Sequence, residues 1–208
     1  MKKILFILLN FLLVNATFAQ SAKEILDDTA ERFQKSSGTI VAFTATQQAA
    51  RHATAPIAGT ITLKGGKFAL DSDALQAWFD GTTLWTALNG SNEVNVSNPT
   101  AEEIQAINPL YFITLYKKGY ELSNHTSKHN GRIVHEVKLK AKNKKESVQE
   151  MSVLIDKSLK QPLQVRLRKG VSWMTIDINS YRANQNVADA VFTFDAKAHP
   201  DYDVIDLR

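Results

Sequence analysis

Residues 75–88 read LQAWFDGTTLWTAL. Two apolar runs flank Asp80-Gly81, the commonest two-residue signal for a tight β-hairpin. A hairpin with one wet face alternates apolar and polar residues. This one does not. With Asp80-Gly81 as a two-residue loop, Leu75, Phe79 and Leu84 share one face while Trp78 and Trp85 share the other. A three-residue loop instead puts Phe79 with Trp85 and Trp78 with Leu84. Either register leaves a large aromatic on each face, so the hairpin is expected to be covered on both sides.

Outward from the hairpin the chain reads as short strands. Segments 39–47 (TIVAFTATQ) and 59–63 (GTITL) are rich in β-branched residues. Residues 67–70 follow a Gly65-Gly66 break, and Asn89-Gly90 turns the chain into 93–97. Farther on, 120–125 and 132–140 flank Asn130-Gly131, followed by 148–155, 163–168 and 172–181. These later strands alternate cleanly. Met151, Val153 and Ile155 oppose Ser152; Val165 and Leu167 oppose Gln164, Arg166 and Arg168; Met174, Ile176 and Ile178 oppose Thr175, Asp177 and Asn179. A last strand is expected at 191–194 (VFTF), before a tail ending in DVIDLR.

Helices are expected in two places. Ser21-Ala22-Lys23-Glu24 has the form of a capping box. The helix it starts carries Ile25, Leu26, Thr29 and Phe33 on one stripe and runs to residue 37, with Gly38 placed to end it. Residues 100–103 repeat the capping logic, and Ile104, Ile107, Leu110, Ile113, Leu115 and Tyr116 keep helical spacing. Pro109 interrupts this stretch, which predicts two short helices meeting near Asn108-Pro109 and ended by Gly119. The fold class is therefore α+β: one strongly curved, mainly antiparallel sheet of about ten or eleven strands, an incomplete β-barrel, with an N-terminal helix and a two-part helical lid.

The first 19 of the 208 residues read as a secretory signal peptide: Met1-Lys2-Lys3, an apolar stretch over 4–14, and Thr17-Phe18-Ala19 for cleavage. Gln20, not Cys, follows the expected cut, so no lipid anchor is expected there. The style of the signal points to the periplasm, and residues 20–208 suit one domain. The chain has no Cys, which excludes disulfides, thiolate metal sites and Cys nucleophiles. Its 25 Lys and Arg face 21 Asp and Glu. Without Lys2 and Lys3 the balance is only +2, which gives no case for nucleic acid. The densest charge run is KLKAKNKK, 138–145, read as a solvated hairpin end or a docking patch for a membrane or partner.

Nothing in the sequence points to catalysis. His125 and His129 are expected to flank a turn, His135 lies among apolar strand residues, and Asp71/Asp73 and Asp201/Asp203 fall in turn-like segments. There is no Gly-x-Ser-x-Gly elbow, phosphate loop or dinucleotide fingerprint. No catalytic residue, metal site or cofactor is expected. The informative feature is apolar surface, which makes either an ordinary core or a cavity for a long apolar ligand.

The order of elements resembles the periplasmic carriers of outer-membrane lipoproteins, the LolA family, across essentially the whole mature chain. Phe43-Thr44 with Gln47 is similar to the family's Phe-Thr-Gln segment, with two extra residues before the Gln. Gly59, Ile61 and Leu63 followed by Lys67-Phe68 look like the next strand pair. Phe79-Asp80-Gly81-Thr82-Thr83-Leu84-Trp85 is similar to the Asp-Gly-x-x-Leu-Trp hairpin, the most specific match. Asn108-Pro109-Leu110-Tyr111-Phe112-Ile113 resembles the broken lid helix. Phe192-Thr193-Phe194 and Val204-Ile205-Asp206 resemble the closing strand and tail. Lys64-Gly65-Gly66 departs from the family, where a basic residue and Pro supply an Arg that bonds to the lid; Lys64 or Lys67 stands nearest to that role.

The resemblance implies a monomeric, non-enzymatic shuttle for triacylated lipoproteins, loaded by an inner-membrane lipoprotein-releasing ABC transporter and unloaded to an outer-membrane acceptor. Its cavity is expected to be lined by Phe43, Leu63, Phe68, Leu70, Phe79, Leu84, Trp85, Met174 and Ile176. The expected lid residues are Ile104, Ile107, Pro109, Leu110, Phe112 and Leu115. A lipid- or lipoprotein-sensing module on the same half-barrel, and a carrier of another amphiphile such as a glycolipid, are the alternatives.

Overall fold

The computed structural model describes residues 20–49, 52–108, 110 and 115–208. The expected signal segment, residues 1–19, lies outside the described residues, as do Pro109 and Phe112 of the expected lid. Helix α1 (Ala22–Lys35) starts on the capping box: Ser21 Oγ accepts from the Glu24 amide, and the Glu24 carboxylate accepts from the Ser21 amide at 2.7 Å. Then come β1 (Thr39–Ala49), β2 (His52–Ala53), β3 (Ile57–Lys64), β4 (Lys67–Ser72), β5 (Leu75–Phe79), β6 (Leu84–Leu88) and β7 (Glu93–Ser97). Helix α2 (Ala101–Ile107) has its own capping box, built from Thr100 and Glu103. The chain continues with β8 (Tyr120–His129), β9 (Arg132–Ala141), β10 (Glu150–Asp156), β11 (Pro162–Lys169) and β12 (Ser172–Arg182), and ends with a 3-10 turn (Asp189–Phe192) and β13 (Asp203–Asp206).

All thirteen strands belong to one sheet, ordered β13-β7-β6-β5-β4-β3-β1-β12-β11-β10-β9-β8, with two-residue β2 paired on β1. Every pairing is antiparallel except β13 on β7. The sheet is open, since β13 and β8 are its edges. Helix α1 approaches β3 on one side and β8 and β9 on the other. In a flat sheet β3 and β8 would lie about 29 Å apart at ~4.8 Å per strand, whereas a helix of 14 residues is about 21 Å long. The sheet therefore curls around α1. A bulge between Ala42 and Phe43 in the central β1–β12 pair adds local bend.

Several expectations need correction. Among the described residues there are thirteen strands, not about ten or eleven. Residues 191–194 are not a strand: Val191 and Phe192 end the 3-10 turn, Thr193 and Phe194 follow it outside any regular element, and the closing strand is the DVID of the tail. Helix α1 ends at Lys35 with Ser36 as its cap. Gly38 serves close packing, because a Cβ there would lie 2.5 Å from Val187 Cγ2 and 2.6 Å from the Gln185 carbonyl oxygen. Strand β8 extends through His129, so His125 and His129 share one strand, and the turn is Asn130-Gly131, both at positive φ.

The hairpin of residues 75–88 also turns one residue later than expected. Phe79 pairs with Leu84 and Trp78 with Trp85. The Asp80 amide donates to the Thr83 carbonyl at 3.2 Å. Asp80 Oδ1 accepts from the amides of Thr82 and Thr83, both at 2.8 Å, and Gly81 takes φ +104°. The Asp side chain captures the two amides in an Asx-type turn, which shifts the reversal to Gly81-Thr82. A one-residue shift on both arms preserves parity, so the two tryptophans still share a face.

Candidate ligand cavity

The face that carries Phe79 and Leu84 is continuous with Phe68, Leu63, Ile61, Val41, Ala45 and Ile176 through the pairings of β6, β5, β4, β3, β1 and β12. It continues through Val165 and Val153 to Val137. This is the inner face, against which α1 and the segment after β7 pack. Phe33 of α1 meets Tyr181 edge-on at 5.5 Å between ring centroids, and Phe68 lies 5.4 Å from Phe79.

Packing leaves two apolar hollows. The inner one, about 160 Å³, lies between the middle of the sheet and the segment around α2. Phe43, Leu70, Met174 and Ile176 of the expected lining face it, with Ile107 and Leu115 of the expected lid. The second, about 460 Å³, lies under the tip of the β3–β4 hairpin. It takes Leu63, Phe68 and Phe79 from the expected lining and Ile104 and Leu110 from the lid. Asn108 borders both hollows, and its Oδ1 accepts from the Leu110 amide at 2.9 Å, fixing the bend at the end of α2.

Two expected lining residues sit elsewhere. Leu84 is buried in the core on the inner face, outside either hollow. Trp85 is a correction: it pairs with Trp78 and Val96 on the outer face. Adjacent strand residues point to opposite faces, so Leu84 and Trp85 cannot both line one cavity. The sequence reading also omitted Ala45, Ile57, Leu75, Val148, Met151 and Leu167, all of which face the inner hollow. Ile57 continues the two-residue period of Gly59, Ile61 and Leu63, and Met151 and Leu167 stand on the apolar side of alternating strands, so that signal was present.

The segment over the cavity is tied at its far end. Tyr116 Oη donates to Asp27 Oδ1 of α1 at 2.6 Å. Burial, and then the Asp27 carboxylate, push the Tyr116 phenol well above its ordinary range, while the Lys23 ammonium and the Tyr116 hydroxyl hold Asp27 below the usual carboxylate range. The Tyr120 hydroxyl donates to the carbonyl of cavity-lining Val148 at 2.9 Å, and burial raises it to about 12. Phe43 lies over Gly59, where a Cβ would approach Cζ of Phe43 to 2.8 Å.

The sequence matches the family model described as "Outer membrane lipoprotein carrier protein LolA" over residues 13–171. The chain belongs to the LolA family. No curated protein matches it. Among crystal structures, a LolA superfamily protein from Nitrosomonas europaea is 11% identical, with 85% of this chain and 99% of that chain covered and a TM-score of 0.45. Lipoprotein LppX from Mycobacterium tuberculosis is 9% identical, covering 80% and 95%, at 0.44. The MucA/MucB complex from Pseudomonas aeruginosa gives 11% identity, 85% and 62%, at 0.43. The assignment rests on the family match.

In this LolA-family chain Lys64 and Lys67 are bonded to the segment after β12. Lys64 Nζ donates to the Val187 carbonyl at 2.7 Å and to Asp189 at 2.8 Å, and Lys67 Nζ to Asp189 at 3.1 Å. Lys64 and Lys67 together hold the Asp189 carboxyl below its ordinary range. Among the described residues both ammoniums thus fasten the C-terminal segment. Among the described residues no cluster of three or more His, Asp or Glu is placed to hold a metal, and no helix is long and apolar enough to cross a membrane. The Asp73 carboxylate caps the Ala58 amide at 2.9 Å, a structural use.

Proposed function

We propose that this chain is a periplasmic carrier, a single domain over residues 20–208 released from its signal segment. In this reading it shelters the acyl chains of triacylated lipoproteins in transit from an inner-membrane releasing ABC transporter to an outer-membrane acceptor. The observation that carries the reading is an apolar hollow between a curled sheet and a bent cover, in a chain of the LolA family. The need is large: at ~0.8 kcal/mol per buried methylene, an acyl chain of about 15 methylenes represents on the order of 12 kcal/mol if left in water.

The hollow at rest is too small for that cargo. Its size of about 160 Å³ is close to the roughly 150 Å³ apolar cavity that stays dry and takes up benzene. Filling the inner hollow therefore requires the α2 segment to move out, so that Ile107 and Leu115 give up contact with the sheet in favour of acyl chains. Phe43, Leu70, Met174 and Ile176 would hold the chains, with Leu63, Phe68 and Phe79 in the adjoining hollow. None of these groups does chemistry, and no cofactor enters the reading.

Met174 is half-buried in the lining, so Met174→Glu can fold while placing a carboxylate in an apolar site. Uptake of a fluorescent fatty-acyl probe is expected to weaken at least about tenfold, with the melting temperature nearly unchanged. Uptake equal to wild type would remove Met174 from the site. Native mass spectrometry of the protein isolated with its cargo then decides the ligand. A bound glycolipid, or a membrane regulator in place of lipoprotein, would replace the shuttle role.

A further inference from the structure

The basic run at 138–145 has no part in the cavity chemistry, and the fold divides it. Lys138 lies on the outer face of β9, paired with Glu136 at 3.4 Å. Lys142, Lys144 and Lys145 stand exposed in the loop between β9 and β10. Two neighbouring segments are bonded to that loop. The Lys142 amide donates to the Gly119 carbonyl at 2.9 Å, and the Gly170 amide donates to Gln149 Oε1 at 2.7 Å. Residues 117–119, 142–149 and 169–172 thus form one continuous rim at one end of the sheet.

The rim carries six exposed lysines, Lys117, Lys118, Lys142, Lys144, Lys145 and Lys169, against a single carboxylate, Glu146. Among the described residues none of the six is in an ion pair. The same rim is one side of the cavity mouth, since Val148 and Lys169 line the inner hollow. At its β11–β12 end, next to Lys169, the Gly170-Val171 turn leaves Val171 81% exposed.

Lysines outside any ion pair beside an apolar opening, with a bare valine at one end of the row, have the chemistry of an interfacial contact. Lipid phosphates attract lysines within about a Debye length, and an apolar side chain gains by entering the headgroup boundary. An acidic protein surface would match the charge but gives the valine nothing. We propose that this rim docks the protein on an anionic lipid surface with the cavity mouth turned toward the bilayer. An acyl chain then passes between membrane and cavity without crossing bulk water. The purpose rests on the carrier reading; the docking itself is measured without cargo.

The test is flotation of the full chain, in one and the same form for all variants, with vesicles of equal parts phosphatidylglycerol and phosphatidylcholine, against pure phosphatidylcholine. Wild type is expected to bind the anionic vesicles at low salt and to be released as salt rises. Changing Lys142, Lys144 and Lys145 together to Ala is expected to weaken binding on the order of a hundredfold, from about fivefold per lysine. Val171→Asp is expected to cost about tenfold. Lys157→Ala, an exposed lysine at the opposite end of the sheet, should leave binding unchanged. Equal binding to both vesicles, a triple variant that floats like wild type, or an effect of Lys157→Ala as large as that of a rim lysine overturns the proposal. Capture of an acidic protein with no vesicle binding overturns it in favour of a protein partner. Unaltered acyl-probe uptake by the triple variant separates this result from the carrier reading.

Discussion

The two wings of the sheet solve the problem of an exposed face differently. In the β9–β12 wing the outer face is wet. Glu150 pairs with Arg168 at 2.7 Å, Gln164 bonds to Asp177 at 2.7 Å, and the Arg166 guanidinium lies 5.0 Å from the centre of the Trp173 ring. In the β4–β7 wing much of the outer face is covered by the end of the chain. The 3-10 turn lies against β4 and β5. Trp78 meets Phe194 at 5.3 Å, and Phe194 stacks on His199 at 5.4 Å with Tyr202 beside both. Strand β13 then shields the β7 edge. The clean alternation of one wing and the blurred pattern of the other have the same cause: a strand shows period two only where one of its faces stays in water.

The sharpest way to break this comparison is to remove one buried group from the covered wing and one from the wet wing. Phe192 is fully buried in the covering turn, so Phe192→Ala is expected to cost about 3–5 kcal/mol in denaturant unfolding. Trp173→Ala, on the wet face, is expected to stay within about 1 kcal/mol, the range of a single exposed cation–π contact. Equal losses would mean that the C-terminal segment is not a structural layer.

A second probe asks whether the inner side next to the covered wing is as tightly packed as that wing's outer side. At Gly59 a Cβ would lie 2.8 Å from Phe43 Cζ and 2.8 Å from Ser72 Cβ. Gly59→Ala is therefore expected to lower stability by about 1–3 kcal/mol and to displace Phe43 in the cavity, read as a change in acyl-probe affinity. Wild-type stability and affinity together would show that the strands make room for the methyl group without displacing Phe43.

The smallest effect concerns the clamp on the covering segment. The Asp189 carboxyl is held below its ordinary value of 3.8 by Lys64 and Lys67. Its contribution is thus fully present above that value and is lost as pH falls through the lower, folded value. Asp189→Asn should remove this acid-side dependence and leave stability at neutral pH slightly reduced, as befits an exposed pair. The readout is melting temperature against pH for both proteins; parallel profiles would show that the lysines do not hold the turn.

Much of this molecule was legible because it is local. Both capping boxes lie within four residues, and the apolar sides of β10, β11 and β12 follow from alternation alone. The hairpin of residues 75–88 declared that both its faces are covered, and most of the inner-hollow residues on β1, β4 and β12 followed from the same logic. The outer position of Trp85 was legible too: Leu84 and Trp85 are neighbours on one strand and face opposite ways, and the Asp80 carboxylate that captures two amides moved the turn without changing that parity. Residues 191–194 have the composition of a strand but no free partner there: the β7 edge is taken by β13, so VFTF packs by its rings.

By itself the sequence determined the strand-rich class, the starts of both helices and the two-sided burial of the Trp hairpin, since each rests on contacts between near neighbours. Tertiary structure alone decided what covers the outer face, that Lys64 and Lys67 hold Asp189 more than 120 positions away, and that two hollows remain under α2. Those outcomes come from closing the chain on itself, where the partner is chosen by the curvature of the whole sheet and leaves no periodic trace in either segment.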